Sequence, residues 1–146
     1  ASILAVDDNT TNIMLIKTLL SEIVSDVTTA SNGKEAVKMC LNTEFDLIFM
    51  DIQMPIMDGL TASQLIKQND TNKNTPIIAV TALVMEEEKR KFYEIGMSDY
   101  LSKPIDDVKL KELINKYCID NSNVDLINYN QATQNNTLST PNQKLK

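Results

Sequence analysis

The chain has 146 residues, 42% of them apolar and 23% charged, with a formal net charge of −6. That length suits one domain around one core, and the acidic balance argues against general binding to nucleic acid or anionic lipid, which needs a basic face. No apolar run is long enough to span a membrane, no basic-then-apolar leader is visible, and the absence of histidine removes triads, imidazole metal sites and imidazole acid–base chemistry.

Ile3-Leu4-Ala5-Val6 is a short, unbroken apolar burst, as expected of a strand buried on both faces. Ile13, Ile16, Leu19, Leu20 and Ile23 follow on one helical stripe. Val27 to Ala30 alternates weakly and reads as an edge strand. Asn32-Gly33-Lys34-Glu35 has the form of a capping box, and Ala36, Val37, Cys40 and Leu41 continue one face of the helix it opens. Leu47-Ile48-Phe49-Met50 is a second fully apolar strand, and Pro55 and Gly59 punctuate the loop after it. A helix is expected from Leu60 to Gln68. Pro76 opens a third buried strand, Ile77 to Val80. A charged helix spans Glu86 to Ile95 and stops at Gly96. Tyr100-Leu101-Ser102 is a short last strand, and Leu110, Leu113, Ile114, Tyr117 and Cys118 mark a final helix.

Five strands alternating with five helices imply a parallel sheet covered on both sides, an α/β doubly wound fold. Right-handed crossovers leave few topologies, and the expected order is 2-1-3-4-5. Strands 1 and 3 then lie side by side where the winding reverses, and ligands bind there, outside the carboxyl ends of the strands. Residues 119 to 146 are rich in Asn, Gln, Thr and Ser and lack Gly. They read as a polar tail or linker, largely disordered, after a domain of residues 1 to 118. Val124, Leu126, Ile127 and Tyr129 are a small apolar exception that docks on the domain or begins a further segment of a longer protein. Cys40 and Cys118 read as buried thiols in a reducing compartment. A start at Ala1, close to the first strand, reads as a piece of a longer protein, methionine removal being the plainer alternative.

Polar groups stand at the carboxyl ends of the buried strands. The first strand ends in Asp7-Asp8, the third in Asp51, the fourth in Thr81, and the fifth just before Lys103. Singly, each Asp reads as a turn residue or helix cap, and Asp7-Asp8-Asn9-Thr10 serves as a cap for the first helix. Jointly, the sheet order brings carboxylates, a hydroxyl and an ammonium to one rim. Two unit charges ~5 Å apart repel by roughly 3 kcal/mol at an effective dielectric near 20, so the site calls for a cation. An all-oxygen donor set selects a hard one, with Mg²⁺ the best fit and Mn²⁺ the alternative. An ionised Asp can attack phosphorus to form an acyl phosphate, with the metal and Lys103 spreading charge over the equatorial oxygens and Thr81 donating a hydrogen bond. Asp51 is the expected nucleophile, and Asp7 and Asp8 the metal holders.

These residues resemble the receiver domain of two-component response regulators, with its flavodoxin-like fold. The matching segments are Ile3 to Asn9, Ile48 to Gly59, Val80-Thr81-Ala82 and Tyr100 to Pro104. The resemblance covers about residues 2 to 118 and is most specific from Asp51 to Gly59. It implies that Asp51 is the phosphoacceptor, that Asp7 and Asp8 bind Mg²⁺ together with Asp51, and that the Gln53 backbone carbonyl is a further ligand. It implies that Thr81 is the switch hydroxyl, Tyr100 the aromatic switch and Lys103 the lysine that pairs with phosphoryl oxygens. It also implies a cis Lys103–Pro104 bond and a small Ala82 that leaves the phosphoryl group accessible. Met50, Met54 and Met57 read as core and loop packing.

The phosphodonor is then a phosphohistidine of a histidine kinase or histidine phosphotransfer domain, since this chain has no His. The surface expected to respond runs from Met85 to Cys118. The isolated domain catalyses its own phosphorylation without being an ordinary enzyme. No direct nucleic-acid or membrane contact is expected of it. The style of the motifs is similar to receivers of hybrid sensor kinases, which places the domain in the cytoplasm, free or tethered through a larger parent. The sequence does not fix an oligomeric state. An aspartate-nucleophile phosphatase of the haloacid dehalogenase type is the alternative, although it needs Asp-x-Asp after the first strand and a cap. A flavodoxin needs a phosphate-cradling loop where Asp7-Asp8 would repel phosphate.

Overall fold

The computed structural model describes residues 1–82 and 84–118. The expected tail, with Val124, Leu126, Ile127 and Tyr129, lies outside the described residues. Among the described residues there are five strands: β1 (Ser2–Val6), β2 (Asp26–Ala30), β3 (Leu47–Asp51), β4 (Ile77–Thr81) and β5 (Asp99–Ser102). The helices are α1 (Thr10–Ser21), α2 (Gly33–Asn42), α3 (Gly59–Lys67), α4 (Glu86–Glu94) and α5 (Asp107–Cys118). All strand pairs are parallel and the order is β2-β1-β3-β4-β5.

The unbroken apolar strands are explained by two cores, one on each face. Leu4, Val6, Ile48, Met50, Ile77 and Ala79 meet α2 and α3 through Ala36, Cys40, Ala62 and Ile66, and α4 through Phe92. The alternating residues Ile3, Ala5, Leu47, Phe49, Ile78 and Val80 meet α1 and α5 through Ile16, Leu20, Leu110, Leu113 and Ile114. With both faces covered, the central strands are apolar up to their carboxyl ends, where Asp51 and Thr81 stand. Only β2, at an edge, keeps half-buried threonines. Cys40 is buried and Cys118 half-buried, both unpaired, and burial pushes their thiols up to about 12 and about 11.

Local chemistry sets the helix starts. The Asn9 side chain accepts from the Asn12 N–H and opens α1, Asn32 accepts from Glu35 N–H, and Asp58 accepts from Thr61 N–H. The glutamate of the α2 box, Glu35, accepts from the backbone N–H and hydroxyl of Ser31, one residue before the cap, rather than from Asn32 N–H. Two apolar assignments differ from expectation. Ile23 lies beyond the end of α1 and is exposed, and Leu41 is half exposed at the edge of its helix face. Helix α4 has no side-chain cap and buries only Phe92; its three leading glutamates favour the positive end of the helix dipole instead.

The end of the sheet opposite the Asp residues is closed by Asn72, which is 1% exposed. Its amide donates to the Cys40 and Thr43 carbonyls and its carbonyl accepts from Phe45 N–H and the Thr75 hydroxyl. One side chain thus ties the α3–β4 connection to the α2–β3 connection.

Candidate functional site

The carboxyl ends of β1, β3, β4 and β5 form one rim. Asp7 directly follows β1; its N–H donates to the Ala30 carbonyl of β2 at 3.1 Å, and its Oδ1 accepts from Asn9 N–H at 2.9 Å. The start of α1 thereby fixes the Asp7 side chain. Asp8, next in line, is exposed. Asp51 ends β3 in register with Val80. The chain then folds back sharply: Ile52 N–H donates to Val80 O, and Gly59 N–H donates to Ile52 O at 2.9 Å. A Cβ on Gly59 would collide with the Asp51 carbonyl oxygen, so only glycine fits there. Lys103 N–H donates to Thr81 O at 2.9 Å, the Lys103–Pro104 bond is cis, and the Lys103 Nζ lies 3.2 Å from Asp51 Oδ1 and 3.4 Å from Asp7 Oδ2.

Oxygens of Asp7, Asp8 and Asp51 lie within 4.8 Å of one another. Asp7 and Asp51 are 1% and 2% exposed, so their repulsion is poorly screened by water. Burial first, and the Asp7 charge second, push the Asp51 carboxyl up to about 6; Lys103 pulls the other way without cancelling them. Burial disfavours the Lys103 ammonium, but Asp51 and Asp7 outweigh it and hold the amine above its ordinary value. Asp51 Oδ2 is buried without a hydrogen-bond partner, and Asp7 Oδ2 has only the Lys103 ion pair. One ammonium among three carboxylates leaves net negative charge and orphaned oxygens. That donor set fits a hard cation bound through carboxylates.

The structure brings Asp7, Asp8, Asp51 and Lys103 together. Thr81 ends the neighbouring strand opposite Ser102 and is 5% exposed. Tyr100 stands opposite Ala79, further from the rim, with its half-buried ring packed on the α2–α3–α4 core. Lys89 of α4 holds its Nζ 5.1 Å from that ring's centroid. Gln53 is exposed in the loop after Asp51. Ala82 is exposed beside Thr81. Sequence reasoning missed Lys89, whose spacing only marked a charged helix, and the close approaches of the glycines. The Asn32-Gly33 and Asp58-Gly59 pairs were signals for those approaches, the first read as part of a capping box and the second as loop punctuation.

A family model described as the response regulator receiver domain matches residues 3–115. The chain belongs to that family. This receiver is 47% identical over 116 residues to the signal transduction histidine-protein kinase BarA of Escherichia coli (strain K12), a stretch that covers 80% of the chain and 13% of that protein. Among solved structures, it is similar to the receiver domain of sensor histidine kinase PA1611 from Pseudomonas aeruginosa PAO1, with 31% identity and a TM-score of 0.74 over 80% of this chain and 95% of that one. That domain was solved with a magnesium ion coordinated in its active-site cleft. The receiver domain of Ssk1 from Saccharomyces cerevisiae, co-crystallised with the histidine phosphotransfer signalling protein Ypd1, is also similar: 29% identity, TM-score 0.73, 80% of this chain and 87% of that one. This receiver is therefore a signalling domain of two-component systems, and the phosphatase and flavodoxin alternatives fall. No helix among the described residues is long and apolar enough to cross a membrane.

Proposed function

We propose that this receiver takes a phosphoryl group onto Asp51 from the phosphohistidine of a histidine kinase or histidine phosphotransfer protein. The observation that carries the reading is the Asp51 carboxylate itself: buried at a strand end, one oxygen beside Lys103, the other unpartnered, with Asp7 and Asp8 alongside. An Asp51 oxygen attacks phosphorus in line with the departing imidazole. The P–N bond breaks, its electron pair returns to the ring nitrogen, and a P–O bond forms. Lys103 follows the developing charge on the phosphoryl oxygens, and the Thr81 hydroxyl donates to one of them.

Asp7, Asp8, Asp51 and the Gln53 backbone carbonyl would hold Mg²⁺, and Mn²⁺ suits the same oxygens. When bound, the ion supplies the positive charge that lets three carboxylates stand together and draws phosphate oxygens into the site. The similarity to a receiver solved with magnesium supports this assignment.

Output is a population shift in which Thr81 moves toward the phosphoryl group and Tyr100 turns inward. The responding surface is residues 85–118, and the thin anchoring of α4 through Phe92 supports that choice. Residues 1–118 form the receiver unit of a larger hybrid kinase on the cytoplasmic side, a context supported by its likeness to BarA. The test is incubation with acetyl phosphate and Mg²⁺, followed by intact mass. Wild type gains one acid-stable, base-labile phosphoryl group and Asp51→Asn gains none. A folded wild type that gains nothing would contradict the proposal.

A further inference from the structure

Ile56 is unusual in two independent ways. Among the described residues it is the one non-glycine with positive φ, 71°, and at 76% it is the most exposed of the large apolar side chains. Met57 N–H donates to Pro55 O at 2.7 Å, which closes a three-residue γ-turn around Ile56. With positive φ this is the rare, strained hand of that turn, and a β-branched residue is among the least suited to it. Such strain persists only where the surroundings over-determine the backbone. Here Pro55 enters the turn, Met57 leaves it against α2 with no room for a Cβ on Gly33 (2.5 Å from Met57 O), and Asp58 then caps α3.

Folding gains little from an isoleucine at this place. Its side chain packs in neither core, and Asn or Gly would hold the same backbone with less strain. The turn lies in the loop between Asp51 and Gly59, on the rim of the site. Met14 and Val108, also more than half exposed, lie in the second turn of α1 and the first turn of α5, helices that leave the same end of the sheet. A small phosphodonor has no use for apolar groups around the mouth. A protein carrying phosphohistidine must cover that rim to bring its ring nitrogen to Asp51.

We propose that Ile56 is a docking residue for a histidine phosphotransfer protein, held out from the domain by the strained turn so that its side chain meets the partner. The proposal rests on the phosphoacceptor reading, and it supposes a partner of the class that the similar Ssk1 receiver was crystallised with.

The experiment measures phosphorylation of the wild type, Ile56→Asn and Ile56→Val from two donors: acetyl phosphate and phosphorylated Ypd1. Expected is an Ile56→Asn transfer rate from Ypd1 lower by about tenfold, with the acetyl phosphate rate within about twofold of wild type. The Asn variant also melts roughly 2–5 °C higher as strain is relieved. Ile56→Val retains transfer. Equal losses with both donors would assign Ile56 to the geometry of the site and overturn the proposal. So would an unchanged Ypd1 rate in Ile56→Asn, or a wild type that accepts from acetyl phosphate but not from Ypd1. A wild type that accepts from neither donor overturns the phosphoacceptor reading as well, so the two failures are distinguishable.

Discussion

Replacing Asp51 by asparagine should stabilise the metal-free protein at neutral pH even as it abolishes phosphorylation. Burial and the neighbouring Asp7 raise the Asp51 carboxyl from 3.8 to about 6. A carboxyl whose folded value is raised binds its proton more tightly in the folded state. Stability therefore falls as pH rises from 3.8 toward 6, and the full cost is present above that window. At about 1.4 kcal/mol for each tenfold in proton affinity, the ionised group costs about 3 kcal/mol. Asparagine keeps the shape and discards the charge, while Lys103 retains Asp7 as a partner. Allowing for relaxation around the pair, the expected gain is about 1–3 kcal/mol at about pH 8, shrinking toward zero below about pH 4. Urea denaturation with chelator present, at several pH values, reads this directly as a shift in midpoint without a change in slope. Saturating Mg²⁺ should reverse the order, because a ligand at ~100 times its Kd adds about 2.7 kcal/mol to the protein that binds it. A metal-free Asp51→Asn variant less stable than wild type at about pH 8 would refute the electrostatic reasoning.

Lys103→Met removes the cation beside Asp51 and Asp7, so the Asp51 carboxyl should titrate above about 6 by carbon NMR. Its acetyl phosphate rate should fall by roughly a hundredfold, as for loss of one charge-stabilising donor. Gly59→Ala drives a methyl into the Asp51 carbonyl oxygen, a backbone atom that cannot swing away. Calorimetry should show destabilisation of about 2–3 kcal/mol or more. Asn72→Ala orphans backbone groups of Cys40, Thr43 and Phe45 far from the phosphoacceptor. Stability in urea should fall by about 2–4 kcal/mol while the acetyl phosphate rate of the folded protein stays unchanged.

Much of the fold was legible because its elements announce themselves. Four-residue apolar bursts at Ile3, Leu47 and Ile77 are too short for helices and suit strands covered on both faces, and the two observed cores are that cover. The rim was legible for the same reason: once strand order is fixed, the residue after each burst has one place to go. Ile23 and Leu41 were misjudged because periodicity shows a stripe but not where the partner surface ends. Asn72 was invisible. In the polar stretch Asn69 to Thr75 several side chains suit a turn equally well, and only tertiary contact with the α2–β3 connection selects the buried one. Gly59 was noticed as punctuation, but the reason for it is the carbonyl of Asp51 beneath it. The strain at Ile56 had no signal at all, since nothing local favours a β-branched residue at positive φ.

The central claim is that Asp51, and no other carboxylate on the rim, becomes an acyl phosphate. Borohydride reduces an acyl phosphate to an alcohol and so would leave homoserine in place of the modified aspartate. Peptide mass spectrometry of protein treated with acetyl phosphate, Mg²⁺ and then borohydride should find homoserine at position 51, and only aspartate at positions 7 and 8. Homoserine at position 7 or 8, or an unmodified peptide at 51 from protein that gained phosphoryl mass, would contradict the account.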